Sequence, residues 1–210
     1  MRRLLVIVAG LCIVLASHSA AEAAVGSAFG NLTTAKTLGQ GVGNFGAGVG
    51  IADATSAFGS FTYGLSRYTD GRLRLGLWDA GSGSSTRIAF GADFKWQFWT
   101  AGAGRREPFD MSFGGGFEFV DAGPISVFQF GGNVVGSYPF KLSNGSTLSP
   151  YGRFIVRVES LSGSQASHTD LCFGLNGGVS WAATRNVTIF GEFQFDGNDG
   201  VFFGLDFNVM

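Results

Sequence analysis

Ile88-Ala89-Phe90-Gly91-Ala92-Asp93-Phe94-Lys95-Trp96-Gln97-Phe98 sorts into two faces on a period of two. Ile88, Phe90, Ala92, Phe94, Trp96 and Phe98 are apolar; Ala89, Gly91, Asp93, Lys95 and Gln97 are small, polar or charged. Side chains of a strand alternate between its faces, so one face meets an apolar medium and the other a polar one. Phe109, Met111, Phe113, Gly115, Phe117 and Phe119 repeat the pattern against Asp110, Ser112, Gly114, Gly116 and Glu118. Leu171, Phe173, Leu175, Gly177, Val179 and Trp181 repeat it against Asp170, Cys172, Gly174, Asn176, Gly178 and Ser180. Each run has the roughly 9–11 residues with which a tilted strand crosses a bilayer. Strands of soluble domains more often have about five or six.

Outward from these runs the same period predicts ten strands, over 43–52, 58–66, 72–78, 86–99, 109–120, 125–138, 151–159, 169–181, 186–195 and 201–209. Turn residues cluster between them, as in Thr69-Asp70-Gly71, Ala80-Gly81-Ser82-Gly83-Ser84-Ser85, Asp121-Ala122-Gly123-Pro124, Asn144-Gly145-Ser146 and Asp196-Gly197-Asn198-Asp199-Gly200. The expected fold is all-β: a closed, antiparallel, up-and-down transmembrane β-barrel of about ten strands, with eight or twelve as alternatives. The phase drifts at Val127-Phe128, which predicts a bulge there. Residues 42–210 form the barrel in this reading, and the Gly- and Thr-rich stretch 24–41 leads into it.

The chain begins Met1-Arg2-Arg3, continues with an apolar run from Leu4 to Ala16, and reaches Ala21-Glu22-Ala23. A basic start, a short apolar region and a small-x-small site make a secretory signal peptide, expected to be cleaved near Ala23. Its loss removes two arginines and one glutamate, leaving 12 basic and 14 acidic side chains. No basic patch points to nucleic acid. Charged residues are 14% of the chain, against roughly 25% in soluble domains. Cys172 is the one cysteine after the signal, so no intrachain disulfide forms in the exported protein. No later window approaches 18 apolar residues, so any membrane crossing is made by strands.

Alternation alone leaves the barrel's sense open. A soluble periplasmic barrel would turn the apolar faces inward around an apolar ligand. Three features favour the lipid-facing sense. The polar faces carry few Lys or Glu. The apolar faces are too bulky for a small interior, which eight strands already nearly fill. The aromatics gather at one rim: with the first strand rising from the periplasm, Tyr68, Trp96, Trp99, Phe109, Tyr138, Tyr151 and Trp181 fall at the periplasmic end, and Trp78 at the other. That is the placement of an interfacial girdle.

The last strand, Val201-Phe202-Phe203-Gly204-Leu205-Asp206-Phe207-Asn208-Val209-Met210, resembles the C-terminal assembly signal of bacterial outer-membrane proteins. Gly204, Phe207 and Val209 occupy its glycine and spaced hydrophobic positions, without the usual final aromatic. With the signal peptide and strand pattern, the chain resembles the small outer-membrane β-barrels, the OmpA-like and OmpX-like proteins in the broad sense. The resemblance implies a bacterial outer-membrane location and two partners, the lipid bilayer and the outer-membrane assembly machinery.

No cofactor is implied, and no His/Cys/Asp cluster has metal-ligand spacing. Gly114-Gly115-Gly116 interrupts a strand and opens no helix, so it is no phosphate loop. His168, in an expected outer loop beside Ser167 and Asp170, is the one candidate for hydrolase chemistry of the kind found in outer-membrane proteases and deacylases; nearness in sequence does not make a site. The lumen-facing positions carry more: Arg74, Asp93, Lys95, Asp110, Glu118, Arg153, Arg157, Glu159, Asp170, Glu192 and Asp206. Buried charges must be paired or hydrated. They would line a narrow channel favouring small cations, or close the interior with Arg–carboxylate networks; the small expected bore favours closure. Outer loops of roughly five to nine residues are too short for a large recognition surface. The expected role is a non-enzymatic membrane barrel, structural or a narrow passive pore.

Overall fold

The computed structural model describes residues 25–81, 85–102, 108–121, 125–163 and 167–209. The signal peptide expected at 1–23, the turn residues 82–84 and 122–124, and Met210 lie outside the described residues. The strands are β1 (Gly43–Ala52), β2 (Thr55–Ser66), β3 (Thr69–Asp79), β4 (Arg87–Trp99), β5 (Asp110–Asp121), β6 (Ile125–Ser137), β7 (Phe140–Lys141), β8 (Thr147–Gly163), β9 (Ser167–Ala182), β10 (Val187–Phe195) and β11 (Gly200–Asn208). β7 continues β6 beyond Pro139, which has no N–H for the ladder, so ten strands make the wall.

Every neighbouring pair is antiparallel, and β1 pairs with β11 from Asn44↔Asn208 to Ala52↔Gly200. β6 pairs with β8 on the opposite side, so the sheet closes on itself with no free edge. The wall has two rims. One carries Gly43 and Asn208 and is called the terminal rim; the far rim carries Ala52 and Gly200.

Several strands run longer than the periodicity shows. β8 extends four residues beyond 151–159 at each end. The apolar alternation stops there, while the hydrogen-bonded ladder continues through polar residues such as Ser149, Ser160 and Ser162. No bulge occurs at Val127-Phe128: β6 stays in register with β5 and β8 throughout. The apparent drift arises because Val127 and Val135 are apolar residues on the inner face, fully buried there. The register shifts lie instead at Gly64/Ser66 and Gln97/Trp99.

The outer surface is apolar on all ten wall strands. Val49, Leu65, Leu75, Phe90, Phe117, Phe130, Phe154, Leu175, Phe193 and Leu205, one from each, are all exposed, and Leu75 retains 63% of its surface. The barrel with apolar faces inward is therefore excluded. The buried apolar residues form a small inner cluster around Phe29, Leu32, Phe58, Phe190 and Phe202.

Candidate functional site: a lumen filled by the chain's own N-terminal segment

Phe29 and Leu32 belong to no strand, and their burial shows what fills the barrel. Residues 25–38 do not merely precede β1. They run through the lumen from the far rim to the terminal rim, and the chain then turns into the wall. Val25 lies against Glu159 near the far rim, and Leu38 against Asp70 near the terminal rim. Fourteen residues of extended chain span at most roughly 45–50 Å, enough to cross the wall's height. Gly39 and Gly41 make the turn at φ +91° and +80°, a left-handed region open to glycine.

This segment has no neighbouring strand, yet its buried backbone polar groups need partners. Side chains of the wall supply them. Glu159 Oε1 accepts from Val25 N at 2.7 Å, and Glu118 Oε2 from Ala28 N at 3.1 Å. Glu192 accepts from Asn31 N at 2.8 Å and Leu32 N at 3.1 Å. Ser137 Oγ accepts from Ala35 N at 3.2 Å, Gln97 Oε1 from Thr37 N at 3.0 Å, and Asp70 Oδ2 from Leu38 N at 3.2 Å. The carbonyls are met by donors. Gln129 Nε2 donates to Gly26 O, Gln194 Nε2 and Asn198 Nδ2 to Ser27 O, and Arg72 Nη1 to Asn31 O at 2.6 Å. Lys95 Nζ donates to Thr34 O at 3.1 Å and Lys36 O at 2.9 Å.

Leu32 sits at φ +42°, the one positive-φ non-glycine among the described residues. That conformation costs roughly 1–2 kcal/mol. It accompanies two successive N–H groups turned to one carboxylate, Glu192, an arrangement that favours an anion. Glu192 also accepts from Tyr151 Oη at 2.8 Å and Asn176 Nδ2 at 3.1 Å, so the carboxylate is held from four directions.

The inner glycines make room for the segment. A Cβ on Gly204 would stand 2.5 Å from Leu32 Cδ1, and one on Gly30 would stand 2.7 Å from the Phe202 side chain. Phe29 fits edge-on to Phe58 at 5.2 Å, with the Arg74 guanidinium over its ring at 5.1 Å.

Ion pairs knit the wall behind these contacts. Arg74 bridges Asp93 at 3.1 Å and Glu118 at 2.9 Å, and Arg72 also meets Asp93 at 3.0 Å. Lys95 lies 3.6 Å from Asp70. Arg157 meets Asp196 at 2.7 Å and Glu159 at 3.6 Å. Burial pushes the Asp196 carboxyl up, against the pull of Arg157. Asp110 accepts from Gln97 Nε2 at 3.0 Å and Ala101 N at 2.8 Å, tying the neighbouring loop to the rim. Two spaces remain. One of about 50 Å³ is lined by Arg153 with Arg74, Asp93, Glu118 and Arg157. A vestibule of about 440 Å³ at the terminal rim is lined by Asp206 with Asn44, Asp70, Arg72, Lys95 and Arg185.

Ten of the eleven charged positions expected in the lumen thus lie on its wall or line its spaces. Asp170 does not join the buried network: it is part-exposed near the far rim and pairs with His168 at 2.9 Å. Asp70, Arg72 and Asp196 are wall charges that the sequence reading did not single out. Arg72 shares the phase of Arg74 and was within reach; Asp70 and Asp196 stood in turn-like clusters.

Of the expected girdle, Tyr68, Trp96, Tyr138 and Trp181 are exposed near the terminal rim. Trp99 and Phe109 are half-buried there and stack at 5.9 Å. Tyr151 is a correction. It is 6% exposed and faces the lumen, because it shares the phase of Arg153 and Arg157. Phe207 and Val209 point outward, while Gly204 faces the segment.

His168 and Asp170 are both solvated, at 55% and 40% exposure. Among the described residues nothing gives the pair the enclosure that catalytic sites use to exclude water. Among the described residues no group of three or more His, Cys, Asp or Glu is placed to hold a metal.

No family model and no curated protein sequence matches the chain. Solved structures with a similar fold include the N-terminal β-barrel domain of Pseudomonas aeruginosa OprF, at 14% identity and TM-score 0.39 over 81% of this chain and 99% of that one. The β domain of the Bordetella autotransporter BrkA aligns at 12% identity and TM-score 0.49 over 80% and 99%. The KdgM porin aligns at 7% identity and TM-score 0.42 over 80% and 99%.

Proposed function

We propose that this protein is an integral membrane barrel of the bacterial outer membrane whose lumen is closed by its own residues 25–38, so that it serves a structural or binding role and not that of an open pore. The observation that carries the membrane reading is the continuous apolar outer surface, with large exposed side chains on every wall strand. A soluble protein rarely leaves contiguous apolar patches beyond a few hundred Å² in water. In lipid the same surface is favourable, and the closed ladder pairs the wall strands with one another, as hydrocarbon requires of a spanning backbone. The signal peptide and the C-terminal resemblance give the compartment; the terminal rim then faces the periplasm, where its aromatics meet the interface.

Closure is supported by the course of residues 25–38. The excess of carboxylates in the lumen reads differently once the segment is in place. Glu118, Glu159, Glu192 and Asp70 accept from its backbone N–H groups, so they are occupied and do not line an ion path. This argues against a passive cation pore through the resting barrel. Refolding into lipid vesicles tests the membrane reading. The expected protein floats with the vesicles and migrates differently before and after boiling. A protein that stays soluble without detergent contradicts it.

A further inference from the structure

The contacts between wall and segment are of a particular kind. They are directed chiefly at the backbone: carboxylates take successive N–H groups, and amide, ammonium and guanidinium groups take the carbonyls. Side chains of the segment are read as well: Ser27 Oγ donates to Glu118 at 2.8 Å, Arg72 Nη2 to Asn31 Oδ1 at 3.0 Å, Lys95 Nζ to Thr33 Oγ1 at 2.9 Å, and Thr37 Oγ1 to Gln97 Oε1 at 3.0 Å. Ala28 and Ala35 are fully buried, with no surface left for a larger residue. Phe29 and Leu32 fill apolar slots, Phe29 beside Phe58 and Gly76, and Leu32 beside Gly48 and Gly204. Gly26 and Gly30 admit no Cβ, because one would overlap Asn198 or Phe202. The segment passes into the wall through the Gly39-Gln40-Gly41 turn, whose glycines have open space around them.

Resting on the reading of residues 25–38 as the lumen's occupant, we propose that the lumen is a binding site for an extended polypeptide strand, and that this segment is its resident ligand, replaceable by a second strand of the same chemistry. The recognised strand is rich in small residues, with the pattern Gly-Ser-Ala-Phe-Gly-Asn-Leu-Thr-x-Ala read from Gly26 to Ala35. Affinity comes from the backbone contacts, as when a peptide adds to a sheet edge, and selectivity from the two apolar slots, the two bare glycines and the hydrogen bonds to the Ser27, Asn31, Thr33 and Thr37 side chains. The difference from sheet addition is that side chains replace the neighbouring strand. That suits a closed wall, which offers no edge.

The test uses the full folded protein with a site-specific protease sequence inserted at Gln40, which is exposed at the terminal rim. The barrel is refolded in detergent, its folded state is verified by gel mobility, and the turn is then cut. A synthetic peptide of residues 25–38, labelled on the exposed Lys36, is added and followed by fluorescence anisotropy. The expected result is saturable binding to the cut barrel, displaced by unlabelled peptide and absent with the uncut barrel. The Gly30→Val peptide is expected to bind about tenfold more weakly or worse, from overpacking against Phe202. Failure of the labelled peptide to enter a cut barrel that keeps its folded mobility overturns the proposal. So does equal binding of the Gly30→Val peptide. Loss of the heat-dependent mobility itself would count against the membrane-barrel reading instead, so the two failures are separable.

Discussion

Glu192 Oε1 lies 2.8 Å from the backbone nitrogen of Asn31, a contact between residues 161 positions apart that pins the middle of the inner segment to β10. The same carboxylate takes Leu32 N, Tyr151 Oη and Asn176 Nδ2. Its removal strands Asn31 N, Leu32 N and Tyr151 Oη, and leaves Asn176 Nδ2 with Gln194 Oε1 alone.

Glu192→Ala is therefore expected to loosen the segment without opening the wall. Each stranded donor costs about 1–3 kcal/mol, partly relieved by water entering the gap. The variant should keep its heat-dependent gel mobility and show current bursts in planar bilayers. Glu192→Gln, which retains one acceptor, should show fewer. An Ala variant as quiet as the parent would place the closure elsewhere.

Arg74 joins Asp93 and Glu118 and covers the Phe29 ring. Arg74→Met keeps much of the stem but takes the guanidinium from buried Glu118 and leaves Asp93 paired with Arg72 alone. Breaking such a network by removing one partner costs about 3–5 kcal/mol. A lower urea midpoint for tryptophan fluorescence is the expected readout; an unchanged midpoint contradicts the network's role.

The outer face makes the opposite demand. Leu75 points outward from the middle of β3 with 63% of its surface exposed. Leu75→Arg should cost about 2–4 kcal/mol for insertion into lipid if the site is near the bilayer midplane. The yield of folded protein in vesicles reports it. An undiminished yield would mean that this face does not contact hydrocarbon.

Threading also predicts a topology. In a Cys172→Ser background, a cysteine placed just before Val25 and another at Asp53 should react with an impermeant reagent from the same side of the membrane. A cysteine at Gln40 should react from the other. Labelling of the position before Val25 from the Gln40 side would contradict passage through the lumen.

The wall was legible in the sequence because both of its media act on a period of two. Phe90 and Phe94 face out while Gly91, Asp93 and Lys95 face in, and the alternation survives in one dimension. Tyr151 lies at the aromatic rim by position along the chain, but it shares the phase of Arg153 and Arg157, and phase decides its face. The segment 25–38 was not legible for a different reason. Its partners are Asp70, Gln97, Glu118, Glu159 and Glu192, scattered over more than a hundred positions, and its own residues carry no period. The trace that sequence did hold was the bare inner face. Gly48, Gly76 and Gly204 leave too little side chain to fill a ten-strand interior, and something else had to occupy it.

Conductance of the intact protein tests the central claim most directly. Purified barrel, shown folded by its gel mobility, is inserted into a planar bilayer and held across a range of voltages. A lumen filled by residues 25–38 predicts no steady current above the membrane's own leak, with current appearing once the Gln40 turn is cut and the segment is washed out. A constant ohmic conductance from the uncut protein, the same at each insertion, would contradict it.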